Sequence, residues 1–156
     1  MKKLLIFFPI VFLFAGCTSF RFWNYPDDFN IKYQSKSYLT GFEQNIDITQ
    51  NELKLSFKKP NIEKKFSSIN IHDDAKLEDI YDFVKSVEYL NQPQIAGEHL
   101  TDAPEESITV TYDNSSKTII FGNIKTQPEY IIKLKSMIFD LTNSYYPDWK
   151  KEAEIE

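Results

Sequence analysis

The stretch 66-FSSINIHDDAKLEDIYDFVKSVEYL-90 indicates two kinds of secondary structure, because the spacing of its apolar residues changes in the middle. Ile69 and Ile71 are two positions apart, which is the spacing of a strand with one buried face. Further on, apolar residues recur every three or four positions, as on one stripe of an amphipathic helix. That stripe consists of Leu77, Ile80, Tyr81, Val84, Val87 and Leu90. The sequence therefore predicts a strand followed by a helix that ends near Asn91.

The start of this helix is marked by Asp73 and Asp74, either of which provides a side-chain oxygen to cap the first free amides. Glu78 and Asp79 add negative charge near the positive end of the helix dipole. Together with the two preceding aspartates, His72 would also offer a nitrogen and two carboxylates to a divalent cation. Since a helix N-terminus requires acidic residues at this position, capping is the preferred interpretation and no metal site is predicted.

Upstream, apolar and polar residues alternate in runs that predict antiparallel strands with one wet face. The inward positions are Ile31, Tyr33, Ile46, Ile48, Leu53, Leu55 and Phe57. Residues 49–52 join two of these runs into a hairpin. Pro60 and the polar segment 61–65 are predicted to interrupt the strands.

Downstream, Ile108, Val110 and Tyr112 begin a second hairpin that turns at residues 113–116. Thr126-Gln127-Pro128-Glu129 has the pattern of a capping box, and the apolar stripe behind it predicts a second helix that stops at Pro147. The chain is thus predicted to fold as an α+β domain, with an antiparallel sheet of about five to six strands and two helices packed on one face. The uncovered sheet face is expected to carry Lys54, Ser56, Thr109 and Thr111 and offers a contact surface.

Residues 91–107 show neither the two-residue spacing of a strand nor the three-to-four-residue spacing of a helix. They are predicted to form a long loop, which is uncommon in a compact domain and often functional. Its charged side chains are nearly all acidic. One interpretation is a solvated, mobile connection. The other is a contact surface for a basic protein partner, formed by Glu98, His99, Asp102, Glu105 and Glu106.

The N-terminus differs in composition from the rest of the chain. Lys2 and Lys3 precede an apolar run at residues 4–15, which is shorter than the roughly 20 residues of a membrane-spanning helix and is typical of a signal peptide. The run closes with Phe14-Ala15-Gly16-Cys17, which resembles the lipobox of bacterial lipoproteins, with Phe14 where leucine is usual. The resemblance implies cleavage before Cys17, lipidation of its thiol and anchoring to the membrane.

The resemblance also implies a location in the cell envelope. Thr18 stands where inner-membrane lipoproteins carry aspartate, which implies the outer membrane, facing the periplasm, if the host is Gram-negative. The predicted organisation is a signal peptide at 1–16, a lipidated aromatic-rich tether at 17–29, one domain at 30–147 and an acidic tail at 148–156. The aromatic rings of the tether either lie at the lipid headgroups or fold back onto the domain.

The sequence contains no pattern that carries catalysis. There is no serine nucleophile elbow, no pair of histidines at metal-ligand spacing and no glycine-rich phosphate loop. Acylation would also remove Cys17, the only cysteine, as a nucleophile. We therefore predict no catalytic residues, no cofactor and no enzyme activity.

The charge of the chain constrains its partners. The net charge is −5, and it becomes −7 when Lys2 and Lys3 leave with the signal peptide, which argues against nucleic acid as a ligand. The predicted function is a lipid-anchored envelope module that binds by protein contact, such as an inhibitor or immunity-type lipoprotein. The alternative is a structural or assembly accessory of the envelope.

Overall fold

The computed structural model describes residues 25–72 and 74–153, which form an antiparallel sheet with helices on one face. The strands are β1 (Asn30–Lys36), β2 (Glu43–Thr49), β3 (Glu52–Lys59), β4 (Ile62–Lys65), β5 (Ile69–Asn70), β6 (Glu105–Tyr112) and β7 (Ser115–Ile120). Their order across the sheet is β4-β3-β2-β1-β6-β7, and β5 pairs with the start of β3. The predicted α+β fold is confirmed.

The alternating pattern of the sequence becomes the two faces of this sheet. Tyr33 of β1 lies opposite Ile46 of β2 and Ile108 of β6, and all three side chains are buried. Inward positions of neighbouring strands line up in this way because side chains alternate along each strand with period two. The hydrophobic core therefore occupies the helix-covered face alone.

The helices are α1 (Ala75–Ser86), α2 (Glu129–Tyr145) and the short α3 (Trp149–Glu152). Asp74 is the N-cap of α1, since its Oδ1 accepts a hydrogen bond from the Lys76 backbone nitrogen at 2.7 Å. Asp73, the other predicted cap, lies outside the described residues. Helix α1 ends earlier than predicted because Glu88 adopts a left-handed conformation (φ 49°) and the chain continues as a 3₁₀ turn at Tyr89–Asn91.

The predicted capping box of α2 is wrong. Pro128 is the N-cap, in an extended conformation (φ −61°, ψ 146°), and no side chain caps the helix. The Gln127 side chain instead donates from Nε2 to the Phe121 carbonyl at 3.2 Å. Helix α2 ends at Tyr145, two residues before Pro147, as predicted.

The polar segment 61–65 was expected to interrupt the sheet, yet most of it forms the edge strand β4. Ser56 pairs with Lys65, and Lys59 pairs with Ile62. An edge strand needs few apolar residues, and charged side chains on it discourage pairing with another chain. The hydrophobic pattern therefore gave no signal for this strand.

The ordered domain is longer at both ends than the predicted 30–147. Tyr25 and Phe29 are buried, and their rings contact Tyr81 with centroids 6.1 and 4.9 Å away. For these two rings, the structure favours the account in which the aromatic segment folds back onto the domain. The remaining predicted features at residues 1–24, including the signal peptide and Cys17, lie outside the described residues.

The C-terminal segment from residue 148 also belongs to the domain as far as Ala153. Trp149 is 2% exposed and Ala153 is fully buried. The centroid of the Trp149 ring lies 5.9 Å from that of Phe139. Helix α3, which forms the first part of the tail, therefore packs against α2. Within residues 25–72 and 74–153, no helix has both the length and the apolar character needed to cross a membrane.

Candidate functional site

The loop that was predicted as a contact surface lies along the edge of β7. Gln94 donates from Nε2 to the Thr118 carbonyl at 2.5 Å, and its Oε1 accepts from the Ile120 backbone nitrogen at 3.4 Å. Leu100 donates from its backbone to the Asn123 carbonyl at 2.6 Å. The loop thus protects an edge that would otherwise expose unpaired backbone groups.

The structure separates the five residues proposed for partner contact. Glu98, His99 and Asp102 are exposed on the loop, and Glu98 forms an ion pair with Lys125 at 3.1 Å. Glu105 and Glu106 belong to β6, so the loop is shorter than predicted and spans residues 92–104.

Glu106 is buried, and its inclusion in an exposed acidic surface was wrong. Successive side chains of a strand point to opposite faces, so Glu106 lies on the helix-covered face and Glu105 on the open face.

Glu106 lies in a cleft of about 1060 Å³ between the sheet and helices α2 and α3. The cleft is at the end of the sheet where β1 finishes and where β2 and β6 begin. Its floor comes from the strands, and its walls include Phe42, Phe139 and Trp149. This volume is slightly above the upper limit of about 1,000 Å³ that is typical of ligand-binding pockets.

Three polar residues form a row across the cleft floor. Ser35 of β1 lies opposite Gln44 of β2 on one side and opposite Glu106 of β6 on the other. These positions continue the inward series of the core, and all three side chains are buried. Polar groups thus replace apolar ones at this end of the inward series.

Glu106 is held by a network of short hydrogen bonds. The Tyr33 hydroxyl donates to Oε1 at 2.6 Å, and Lys135 of α2 donates to Oε1 and Oε2 at 2.7 and 2.6 Å. Burial raises the pKa of Tyr33 above its ordinary value, and the negative charge of Glu106 and the hydrogen bond to it raise that pKa further. Tyr33 therefore stays protonated at neutral pH and acts as a donor.

Gly122 allows the chain to close behind Glu106. The backbone nitrogens of Phe121 and Gly122 both donate to the Glu106 carbonyl, at 2.8 and 3.2 Å. A Cβ at position 122 would lie 2.4 Å from the Glu106 nitrogen and Cβ. Only glycine permits this approach without moving the strand that carries the carboxylate.

Gln44 is the member of this row whose side-chain nitrogen lacks a partner among the described residues. This nitrogen is buried and makes no hydrogen bond to any of them. The residue is 4% exposed and lines the cleft. An unpaired buried donor costs about 1–3 kcal/mol, so a group that paired with this amide would recover free energy.

The wall of the cleft combines apolar surface with positive charge. Lys150 Nζ lies 5.8 Å from the Phe139 ring centroid and 5.7 Å from that of Trp149. Ile132, on α2, lines the cleft with 54% of its surface exposed. At this end of the molecule a ligand would meet aromatic rings, an aliphatic side chain and a cation.

Both oxygens of Glu106 are engaged within the protein. Tyr33 and Lys135 together make three hydrogen bonds to this carboxylate and fix it in place on the cleft floor. Within residues 25–72 and 74–153, no group of three potential metal ligands occurs. Asp74, considered above as a metal ligand, accepts hydrogen bonds from Lys76 and from the Tyr145 hydroxyl.

The open face of the sheet is polar, as predicted, and many of its side chains pair with one another. Thr109 and Thr118 share a hydrogen bond of 2.8 Å, and Gln34 donates to Asn45 at 3.0 Å. Groups that are already paired gain less from a partner than an unpaired one does. The cleft is therefore the stronger candidate for a binding surface.

No known protein family matches the chain, and no curated protein is significantly similar to it in sequence.

Proposed function

We propose that this protein is a lipid-anchored binding module of the bacterial cell envelope that acts by protein contact through the cleft. The observation that carries this proposal is the polar row on the cleft floor, in which Gln44 is buried without a partner for its side-chain nitrogen. Stability alone would favour an apolar residue at this position. An unpaired amide beside aromatic walls is instead suited to a ligand.

The position of the cleft is consistent with a membrane anchor at Cys17. The described chain begins at Tyr25, near the start of β1, whereas the cleft is at the end where β1 finishes. Seven residues of β1 span about 23 Å. An anchor eight residues before Tyr25 would therefore join the domain at the end opposite the cleft.

An inhibitor or immunity-type lipoprotein is the version of this function that we favour. The anchor would hold the domain where an incoming enzyme or toxin acts, and the cleft would receive a protruding part of that protein. The expected partner then meets the positively charged cleft, not the acidic loop at 92–104.

The proposal is tested by capturing the partner from envelope extracts of the host with the full lipidated chain. We expect Ile132→Arg, which places a bulky charge on the cleft wall, to abolish capture of a specific protein. Thr111→Arg, on the open face, is the matched control and should leave capture intact. The reverse pattern would favour the alternative, an assembly accessory that binds through its sheet face.

The anchor requires a separate measurement. Wild-type protein should be found in the membrane fraction, and Cys17→Ser should release it or leave an unprocessed precursor. Membrane retention of a processed Cys17→Ser protein would contradict the anchoring part of the proposal.

A further inference from the structure

We infer that the cleft binds an extended peptide segment that carries an apolar side chain next to a carboxylate, an inference that rests on the proposed function and specifies its partner. Three features of the cleft lead to this ligand: the amide on its floor, the rings of its wall and the charge at its rim.

The amide of Gln44 selects for a group that both donates and accepts hydrogen bonds. Its Nε2 is a donor that is buried without a partner among the described residues, and its Oε1 is an acceptor. A peptide unit offers one N–H and one C=O and can therefore satisfy both atoms of a primary amide. The Nε2 is shielded from solvent, so the bound segment must turn the amide about χ3, which is a soft torsion.

The apolar anchor of the segment packs against the cleft wall. Phe42 and Phe139 are partly exposed and provide ring surfaces, and Ile132 adds an exposed aliphatic side chain at the opening. Burial of one leucine or phenylalanine side chain in such a site favours binding because it removes apolar surface from water.

The carboxylate follows from the charge balance of the cleft. Lys135 neutralises Glu106, the only acidic residue that lines the cleft among the described residues. Lys150 lines it as well and forms no ion pair with any described carboxylate; its ammonium group rests against the two rings. The cleft is thus cationic in a protein whose net charge is negative, and an acidic neighbour of the apolar anchor would pair with Lys150.

An extended peptide fits better than an acyl chain, the other ligand that joins apolar character to a carboxylate. An acyl chain has polar atoms at one end only. The cleft is open to solvent, and four residues with hydroxyl groups are among those that line it, Ser35, Ser37, Thr40 and Ser136, although Ser37 and Thr40 already accept hydrogen bonds from backbone amides of their own turn. Hydrogen-bonding groups spread in this way match the repeating amides of a peptide backbone.

The test is selection of a random heptapeptide display library on the full lipidated chain in mild detergent. We expect enrichment of peptides in which an aromatic or aliphatic residue adjoins aspartate or glutamate. Binding of a selected peptide should fall at least tenfold in Gln44→Met, and its preference for the acidic residue should be lost in Lys150→Met. Gln34→Met, which removes an amide from the open face, is the matched control and should bind normally.

A stability measurement separates loss of the site from loss of the fold. Because Gln44→Met removes an unpaired buried donor, its Tm should be equal to that of the wild type or higher by roughly 2–6 °C. If Gln44→Met no longer binds the peptide and its Tm is unchanged or higher, Gln44 is identified as a binding residue.

Three results would overturn the inference. The first is that no peptide is enriched, and the second is that Gln44→Met leaves the enrichment unchanged. The third is that decanoate binds to the cleft and no peptide does, which would identify an acyl ligand. The proposed function is distinguished from the inference by the capture experiment. If Ile132→Arg abolishes capture of a protein but no heptapeptide binds, the cleft contacts a folded surface and only the inference fails.

Discussion

Replacing Lys135 with methionine should destabilise the domain far more than an ordinary surface substitution. The Lys135 side chain is 31% exposed and that of Glu106 only 11%, so the change leaves a carboxylate in the cleft floor with the Tyr33 hydroxyl as its remaining side-chain donor. Removing one partner of a fully buried pair costs about 3–5 kcal/mol, and an exposed pair is worth about 0–1 kcal/mol. The partial exposure of Lys135 places the expected loss at about 2 kcal/mol.

The two partners should not be equivalent. Glu106→Gln leaves the more exposed group, Lys135, unpaired, and a lysine chain can bring its ammonium group to water. The expected loss is therefore smaller, about 1 kcal/mol. The double variant Lys135→Met with Glu106→Gln removes both charges and should return to within about 1 kcal/mol of the wild type.

The assay is urea unfolding followed by far-ultraviolet circular dichroism, with all variants in the same Cys17→Ser background. Lys133→Met, which removes an exposed lysine from the same helix, is the control and should change the free energy of unfolding by less than about 1 kcal/mol. A Lys135→Met variant that behaves like this control would contradict the predicted cost of leaving Glu106 without its lysine. A double variant that is no more stable than Lys135→Met alone would contradict it as well.

Three further predictions follow from other contacts. Gly122→Ala should lower the free energy of unfolding by about 2 kcal/mol in the same assay, because the added Cβ would lie 2.4 Å from the Glu106 backbone nitrogen. Gly97→Ala should cost less, because its Cβ would meet only a side-chain methyl group, at 2.7 Å. Asp28→Ala should lower the free energy of unfolding by about 1–2 kcal/mol, because the Asp28 carboxylate accepts hydrogen bonds from two backbone amides in the β6–β7 turn, at 3.1 and 2.6 Å. Asp28→Asn retains one acceptor and should cost about half as much. Burial raises the pKa of Tyr89, so above pH 10 the unfolded chain loses this proton before the folded chain does. Stability should therefore fall by about 1 kcal/mol between pH 10 and 11 because of this group. Tyr89→Phe should make this decline shallower, and an unchanged slope would contradict the assignment.

The sequence predicted the parts of the fold that depend on apolar periodicity. Ile31, Tyr33, Ile108 and Val110 alternate with polar residues because one face of their strands is buried, and the helical stripe that starts at Leu77 is equally regular. Such patterns are local and can be read from one chain. The edge strand β4 was missed because an edge does not require an apolar face.

The cleft could not be predicted in the same way. Glu106 continues the inward series of Ile108 and Val110, so extending the alternation by one step would have placed it on the buried face. Its acidity argued against that position until its partner was known, and Lys135 is 29 residues away in sequence. Gln44, which precedes Ile46 in the inward series of β2, is a comparable case. A polar residue at an inward position is a signal of a site, but its partners are brought together only by the fold.

Photo-crosslinking in intact host cells shows whether the proposed partner binds in the cleft. A benzophenone amino acid is placed at Ile132, on the cleft wall, or at Thr111, on the open face, in the full-length chain. We predict one specific protein adduct from Ile132, lost when Gln44→Met is added, and no such adduct from Thr111. An adduct formed from Thr111 and not from Ile132 would contradict the account.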